Sequence, residues 1–190
     1  DSESGPINQS LRKSCDAVII SGKSSSTPIL SQIAEELLSE GGVVMSIQNG
    51  LGHAEIIASR VGRAPVIGGT TTHGAWRGEN GSHWVGRGSI RMGNLDGGPA
   101  NGGAELLYQY LSEASLNPEW DLDIQRAIWT KLLINVAINP ICSIAGVRNG
   151  ALLESTYLWD QALSAMSEAS SVAQACGIDL GDLDLEELLR

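Results

Sequence analysis

The sequence predicts an α/β fold that gives way, near residue 121, to an all-helical one. Between Asp16 and Thr72, short β-branched apolar runs alternate with segments of helical period, the pattern of βαβ units. From Asp123 onward the strand signals stop and apolar residues recur only at helical intervals. The expected domains are 1–121, a partial α/β domain, and 122–190, a partial helical domain.

Each element has its own signal. "DAVIISGK" (Asp16 to Lys23) is the kind of apolar run buried in a parallel sheet. "TPILSQIAEELLSEGG" follows with helical spacing of Ile29, Ile33, Leu37 and Leu38; Thr27 with Pro28 suits the N-cap and first turn, and Gly41 the stop. "VVMSIQNG" reads as a second buried strand ending in a turn, "HAEIIASRVG" as a short helix and "PVIGGTTT" as a third strand, all parallel. "HGAWRG" and "SHWVGRGSIRMG", separated by Glu79-Asn80-Gly81, resemble an antiparallel extension with a turn. "NGGAELLYQYLSEAS" is an amphipathic helix. In the helical part Trp159, Leu163, Met166, Ala169 and Ala173 mark one apolar face.

Composition narrows the function classes. With 190 residues and 42% hydrophobic content the chain holds one ordinary core or two small ones. A net charge of -10 argues against nucleic acid and against an anionic membrane surface, which both reward clustered Lys and Arg. No apolar run approaches the roughly 20 residues that cross a bilayer, and no charged-then-apolar leader opens the chain. A soluble, cytoplasmic protein with no membrane partner is expected. Cys15, Cys142 and Cys176 are odd in number and far apart, which suits three buried thiols rather than disulfides or a metal knuckle. Residue 1 is Asp rather than Met, so a piece of something longer is expected.

Several motifs are candidates for chemistry. "AVIISGKS" ends like a phosphate-binding P-loop, but Ala17 stands where the pattern needs glycine, and Val18-Ile19-Ile20 favour a strand over a loop curled around phosphate. What remains is Lys23 at the carboxyl end of a parallel strand, where open α/β sheets bind ligands. "QNG" (Gln48 to Gly50) sits at the equivalent end of the next strand and reads either as an Asn-Gly turn or as an amide orienting a ligand. His53, His73 and His83 lack ligand spacing and acidic company, so no metal is expected. There is no serine nucleophile elbow.

"WTKLLINVAINP" (Trp129 to Pro140) is the most informative stretch. At about 100° per residue, Lys131, Asn135 and Asn139 fall along one helical stripe, drifting about 40° per step. A lysine snorkelling to solvent with two amides on backbone is one reading. A polar ligand satisfying all three is the other, because buried asparagine without partners costs a few kcal/mol. Pro140 should kink or end the helix.

"SIQNGLG", "GGTTTHGA" with "HWVGRGSIRMG" beyond it, and "WTKLLINVAINP" with "NGAL" ten residues later resemble the 2-dehydropantoate 2-reductases, or ketopantoate reductases, in order and spacing, from about Asp16 to Gly177. The resemblance implies an incomplete doubly wound (Rossmann-like) sheet followed by a helical domain, and NADPH-dependent reduction of 2-dehydropantoate to (R)-pantoate, towards pantothenate and coenzyme A. It implies Lys131 as the catalytic lysine and Asn135, Asn139 and Asn149 as substrate contacts. Lys23, Asn49 and Ala75 fall at cofactor contacts, with Asn49 near nicotinamide and substrate together. It leaves a homodimer open as an assembly. The sequence departs from the family in having no GxGxxG loop, no strand for 2'-phosphate contacts, and an end at Arg190 ahead of the family's serine-rich helix and glutamate. The middle of a reductase is therefore expected. The alternatives are a non-catalytic remnant or binding and dimerisation module of the same fold, and a reductase of another branched 2-keto acid.

Overall fold

The computed structural model describes residues 8–190; the polar opening of the chain lies outside them. Two compact units divide the chain, Asp1–Ile124 and Gln125–Arg190.

The first unit is built on a five-stranded mixed sheet in the order β1-β2-β3-β6-β7. β1 (Cys15–Ile20), β2 (Leu38–Ser46) and β3 (Val66–Thr71) run parallel, joined by α1 (Thr27–Leu37) and α2 (His53–Val61), as the alternating sequence predicts. β6 (Ile90–Asn94) is antiparallel to β3, and β7 (Pro118–Trp120) adds a short parallel edge after α3 (Gly103–Glu113). Alternate residues of each strand supply opposite faces of the sheet. Val44 and Val66 pack with Ala34 of α1 and Ala54, Ile57 and Ala58 of α2. Val43, Met45, Ile67 and Met92 pack with Ala104, Leu107 and Leu111 of α3 on the other side. Burial on both faces explains why β2 and β3 read as apolar runs; β1, expected to be buried, lies at the sheet's edge with Ile19 42% exposed and only Ile20 buried.

The run "SHWVGRGSIRMG" is not one strand: β4 (Gly74–Gly78) and β5 (Gly81–Gly86) close a separate two-stranded hairpin, while β6 joins the main sheet. Gly86, Gly88 and the exposed Arg87 between them supply the break. β7 was not foreseen, because three residues led by a proline carry almost no strand signal.

Gly41 does not stop α1. The helix ends at Leu37, and Gly41 lies inside β2 at φ +77°, where the pairing register jumps from Cys15–Leu38 to Ala17–Val43. The last carbonyls of α1 are satisfied by tertiary bonds instead: Lys13 donates its N–H to Glu36 O at 2.9 Å and its Nζ to Glu35 O at 2.7 Å. The inner face of α1 also differs. Thr27, Ser31 and Ala34 are buried, whereas Ile29 is 48% exposed, because small side chains let the helix lie close to its neighbours.

The second unit is helical: α4 (Ile124–Ala145), a 3-10 turn over Asn149–Leu153, α5 (Thr156–Ala175) and α6 (Leu185–Leu189). Trp129, Leu133, Ala137, Leu152, Ala162 and Met166 form its core. Trp159, Leu163 and Ala169 of the expected α5 face pack against that core from partly buried positions. Pro140 neither ends α4 nor caps it, and the helix runs five residues further. The ring removes one N–H, so the Val136 carbonyl loses its usual helical donor. Thus α4 reaches 22 residues, with a window of mean hydropathy 1.4 that is long and apolar enough to cross a membrane by length and composition. That reverses the expectation that no segment is, although Trp129, Leu133 and Ala137 of the same helix are core residues here. Among the cysteines only Cys142 is buried; Cys15 is half-buried and Cys176 is exposed at the end of α5.

Candidate functional site

The carboxyl ends of β1 and β2 open into a cavity of about 530 Å³, lined by Ser21, Gly22, Lys23, Ser24, Ile47, Gln48 and Asn49. Both strands stop there for local reasons. Gly22 follows β1 in a loop, and Gly50, at φ +100°, turns the chain from β2 towards α2 in a conformation that other residues rarely adopt. Lys23 and Asn49 are exposed at this cavity, and neither side chain hydrogen-bonds another described residue.

Beneath the cavity lies a buried polar network that the sequence did not reveal. Gln48 Nε2 donates to Gly22 O at 2.9 Å and to Thr27 Oγ1 at 2.9 Å, and sits 3.4 Å from Lys23 O. Ser46 Oγ donates to Gln48 Oε1 at 3.2 Å. Thr27 Oγ1 lies 3.2 Å from His53 Nδ1, and His53 Nε2 lies 3.0 Å from Asn49 O. Thr27 is accordingly the first residue of α1, with Ser26 at the cap; its hydroxyl turns into this network rather than onto the helix's own N–H groups. The signal that could have found it was "SIQN" itself, since a strand ending in alternate polar residues places Ser46 and Gln48 on one side.

Ala75 stands elsewhere, exposed on β4 opposite Trp84 in the hairpin, and does not line the cavity. His73 fixes the base of that hairpin: its Nδ1 accepts from the Gly88 N–H at 3.0 Å and its Nε2 lies 3.0 Å from Leu116 O. A carbonyl can only accept, so the neutral ring carries its proton on Nε2.

In the second unit, Lys131, Asn135 and Asn139 follow one another at helical intervals of four along α4. Trp129, Leu133 and Ala137, two positions earlier in each case, are core residues. Two residues turn a helix by about 200°, so the lysine–asparagine stripe points away from this unit's core. Lys131 and Asn135 are half-buried and Asn139 is exposed. Burial lowers the Lys131 pKa below its ordinary lysine value of 10.5, because desolvation disfavours the ammonium. The side chains of Asn135 and Asn139 hydrogen-bond no other described residue. Asn149 is exposed at the start of the 3-10 turn over Asn149–Leu153. Among the described residues no group of three or more His, Cys, Asp or Glu side chains could hold a metal.

Comparison with known proteins matches these two units to one family. The family described as ketopantoate reductase PanE/ApbA matches residues 2–97, and its C-terminal family matches residues 123–190. The 2-dehydropantoate 2-reductase of Archaeoglobus fulgidus is 33% identical over 184 residues, 93% of this chain and 61% of that protein. That of Pyrococcus horikoshii is 35% identical over 176 residues, 92% of this chain and 57% of that protein. The chain thus spans a little under two thirds of the length of these relatives. Among solved structures, 2-dehydropantoate 2-reductase from Geobacter metallireducens superposes with a TM-score of 0.82 at 27% identity, covering 93% of this chain and 59% of that one. D-mandelate dehydrogenase, in a ternary structure with NADH and anilino(oxo)acetate, gives 0.80 at 26% identity, with 93% and 55% covered. A Rossmann-like α/β unit followed by a helical unit, each matched by its own half of one family description, places this chain in the ketopantoate reductase family.

Proposed function

We propose that this chain serves an NADPH-dependent oxidoreductase of the cytoplasm that reduces the ketone of 2-dehydropantoate to (R)-pantoate, towards pantothenate and coenzyme A. Residues 1–121 would take the cofactor and 122–190 the substrate. The observation that carries the reading is the α4 stripe: a half-buried lysine with a lowered pKa, followed at helical intervals by two asparagines, on the face opposite the core.

Reduction of a ketone needs a hydride at carbon, which a bound nicotinamide cofactor supplies, and a proton at oxygen. Lys131 Nζ donates that proton, and its ammonium stabilises the negative charge growing on the oxygen before the proton arrives. The neutral amine is then reprotonated from water. Asn135, Asn139 and Asn149 offer carboxamides, donors and acceptors at once, for the substrate's carboxylate and hydroxyl.

The cavity at the ends of β1 and β2 fits part of a nucleotide. Lys23 offers a cation, Ser21 and Ser24 hydroxyls and Asn49 a carboxamide, a donor set suited to ribose hydroxyls and phosphate oxygens. We assign Lys23, Asn49 and Ala75 to cofactor contact. A homodimer binding no nucleic acid completes the proposal; a ketopantoate reductase of Staphylococcus aureus, 19% identical, is described as dimeric.

One observation favours a second reading, a reductase of another 2-keto acid that uses NADH: the structural likeness to D-mandelate dehydrogenase with NADH and anilino(oxo)acetate. Initial rates in the full-length protein, with NADPH and NADH each paired with 2-dehydropantoate and with an aryl 2-keto acid, separate the two. The first reading expects the highest kcat/KM for NADPH with 2-dehydropantoate, and a higher value for the aryl acid with NADH would replace it.

A further inference from the structure

We propose that Gln48 is a positioning residue for the nucleotide cofactor: its buried carboxamide, relayed through Thr27 and His53, locks the Gly22–Lys23 loop and the Asn49 main chain in one geometry. The proposal rests on the reading of the cavity as the cofactor face. Gln48 lines the cavity but is only 9% exposed, with its carboxamide engaged by Ser46, Gly22 and Thr27, and Thr27 is fully buried, so neither is placed to be the main contact of a ligand.

The hydrogen bonds run in one direction. Asn49 O can only accept, so His53 Nε2 carries the proton and, in the neutral ring, Nδ1 is a bare acceptor. The Thr27 hydroxyl hydrogen turns to that Nδ1, which leaves Thr27 Oγ1 to accept from Gln48 Nε2. The remaining Gln48 hydrogen goes to Gly22 O, and Gln48 Oε1 takes the Ser46 hydroxyl hydrogen. Gln48, Thr27, His53 and Asn49 O therefore form a continuous relay joining the two sides of the cavity from below.

Among the described residues, Gly22 O receives no other hydrogen bond, and the loop from Ser21 to Lys23 belongs to no helix or strand. Without the Gln48 amide the Gly22 carbonyl would have no donor, and the loop would be held only by the Ser26 N–H on Lys23 O at 2.8 Å. With it, Lys23 and Asn49 project from a fixed main chain, and less freedom is lost when a nucleotide binds.

The test uses the full-length protein and NADPH, by fluorescence titration and steady-state kinetics. Gln48→Met keeps the side-chain length and removes both donors; it is expected to raise Kd and KM for NADPH about tenfold while kcat at saturating cofactor stays within about twofold. Because Gln48 acts through the loop that carries Lys23, Gln48→Met combined with Lys23→Met should bind NADPH no more weakly than the weaker single variant. Wild-type affinity in Gln48→Met, or losses that multiply in the double variant, overturns the proposal, as does a lowered Tm with NADPH affinity intact. If Lys23→Met and Asn49→Ala themselves bind NADPH normally, the cofactor-face reading fails, and the proposal falls with it by a separate result. Should Gln48→Met not fold, Thr27→Val removes a single hydroxyl of the relay; a Kd raised about threefold is expected, and an unchanged Kd overturns the proposal.

Discussion

Two polar regions of this molecule follow opposite rules. At the ends of β1 and β2, Ser46, Gln48, Thr27 and His53 are at most 9% exposed and direct their side chains almost wholly at one another and at nearby main chain. On α4, Asn135 and Asn139 ride a stripe turned away from the unit's core and bond no other described residue. Neutral groups taken out of water must find internal partners, and once found those partners hold the fold. Amides kept at a surface leave their hydrogen bonds for water or a ligand. The contrast separates polar groups that satisfy one another from amides left open to water or a ligand, and variants can break it in either region.

The largest effect is expected at Lys131. In the full-length protein Lys131→Ala should lower kcat for 2-dehydropantoate by roughly 10²-fold or more, the scale of a lost proton donor. NADPH absorbance follows it; a folded variant with near wild-type kcat would make the stripe a solvated face and nothing more.

A pH profile sharpens the same point. In the proposed role the lysine acts while protonated, so kcat should fall as pH rises through its pKa, and desolvation puts that fall below the ordinary 10.5. Lys131→Arg, which stays charged, should remove this alkaline limb. The stability sign is opposite. Between the lowered value and 10.5 the unfolded chain holds more protons than the folded one, so stability should rise with pH across that window. A denaturation series over the same pH range, compared with Lys131→Met, isolates the contribution.

Asn135→Ala should mainly raise KM for the keto acid, about tenfold, with kcat held within a few-fold, because a contact made equally in ground and transition states is lost. A fall in kcat with KM unchanged would move Asn135 from holding substrate to stabilising the transition state.

The smallest effect belongs to the buried network. Ser46→Ala removes the hydroxyl donor to Gln48 Oε1, the Thr27 hydroxyl hydrogen being turned to His53 Nδ1. Stability should drop by about 1 kcal/mol in urea unfolding, with the keto-acid KM unchanged. A KM effect as large as that of Asn135→Ala would erase the distinction between the two regions.

Much of this was legible in the chain. Apolar runs of strand length between helical repeats gave the parallel β1-α1-β2-α2-β3 order, because β2 and β3 are buried on both faces and leave little alternation to misread, although β1 at the edge is only partly covered. The stripe on α4 was equally visible, since a helix converts a spacing of four directly into a shared face. What was lost depended on partners distant in sequence. The end of α1 is set by Lys13, which no local signal on the helix announces. Pro140 was expected to kink or end α4, and the helix does not end there but continues to Ala145. The strand β7 exists because β6 offers it an edge, and its three residues would not choose that state alone.

By itself, then, the sequence determined the elements whose cause is periodic and local: the strand and helix order, the change to an all-helical unit, and the register of Lys131 with Asn135 and Asn139. Only the tertiary structure decided which polar residues were to be buried. Gln48, Thr27 and His53 stand up to 26 positions apart, and whether an amide, a hydroxyl and an imidazole satisfy one another depends on approaches of about 3 Å that chain spacing does not encode.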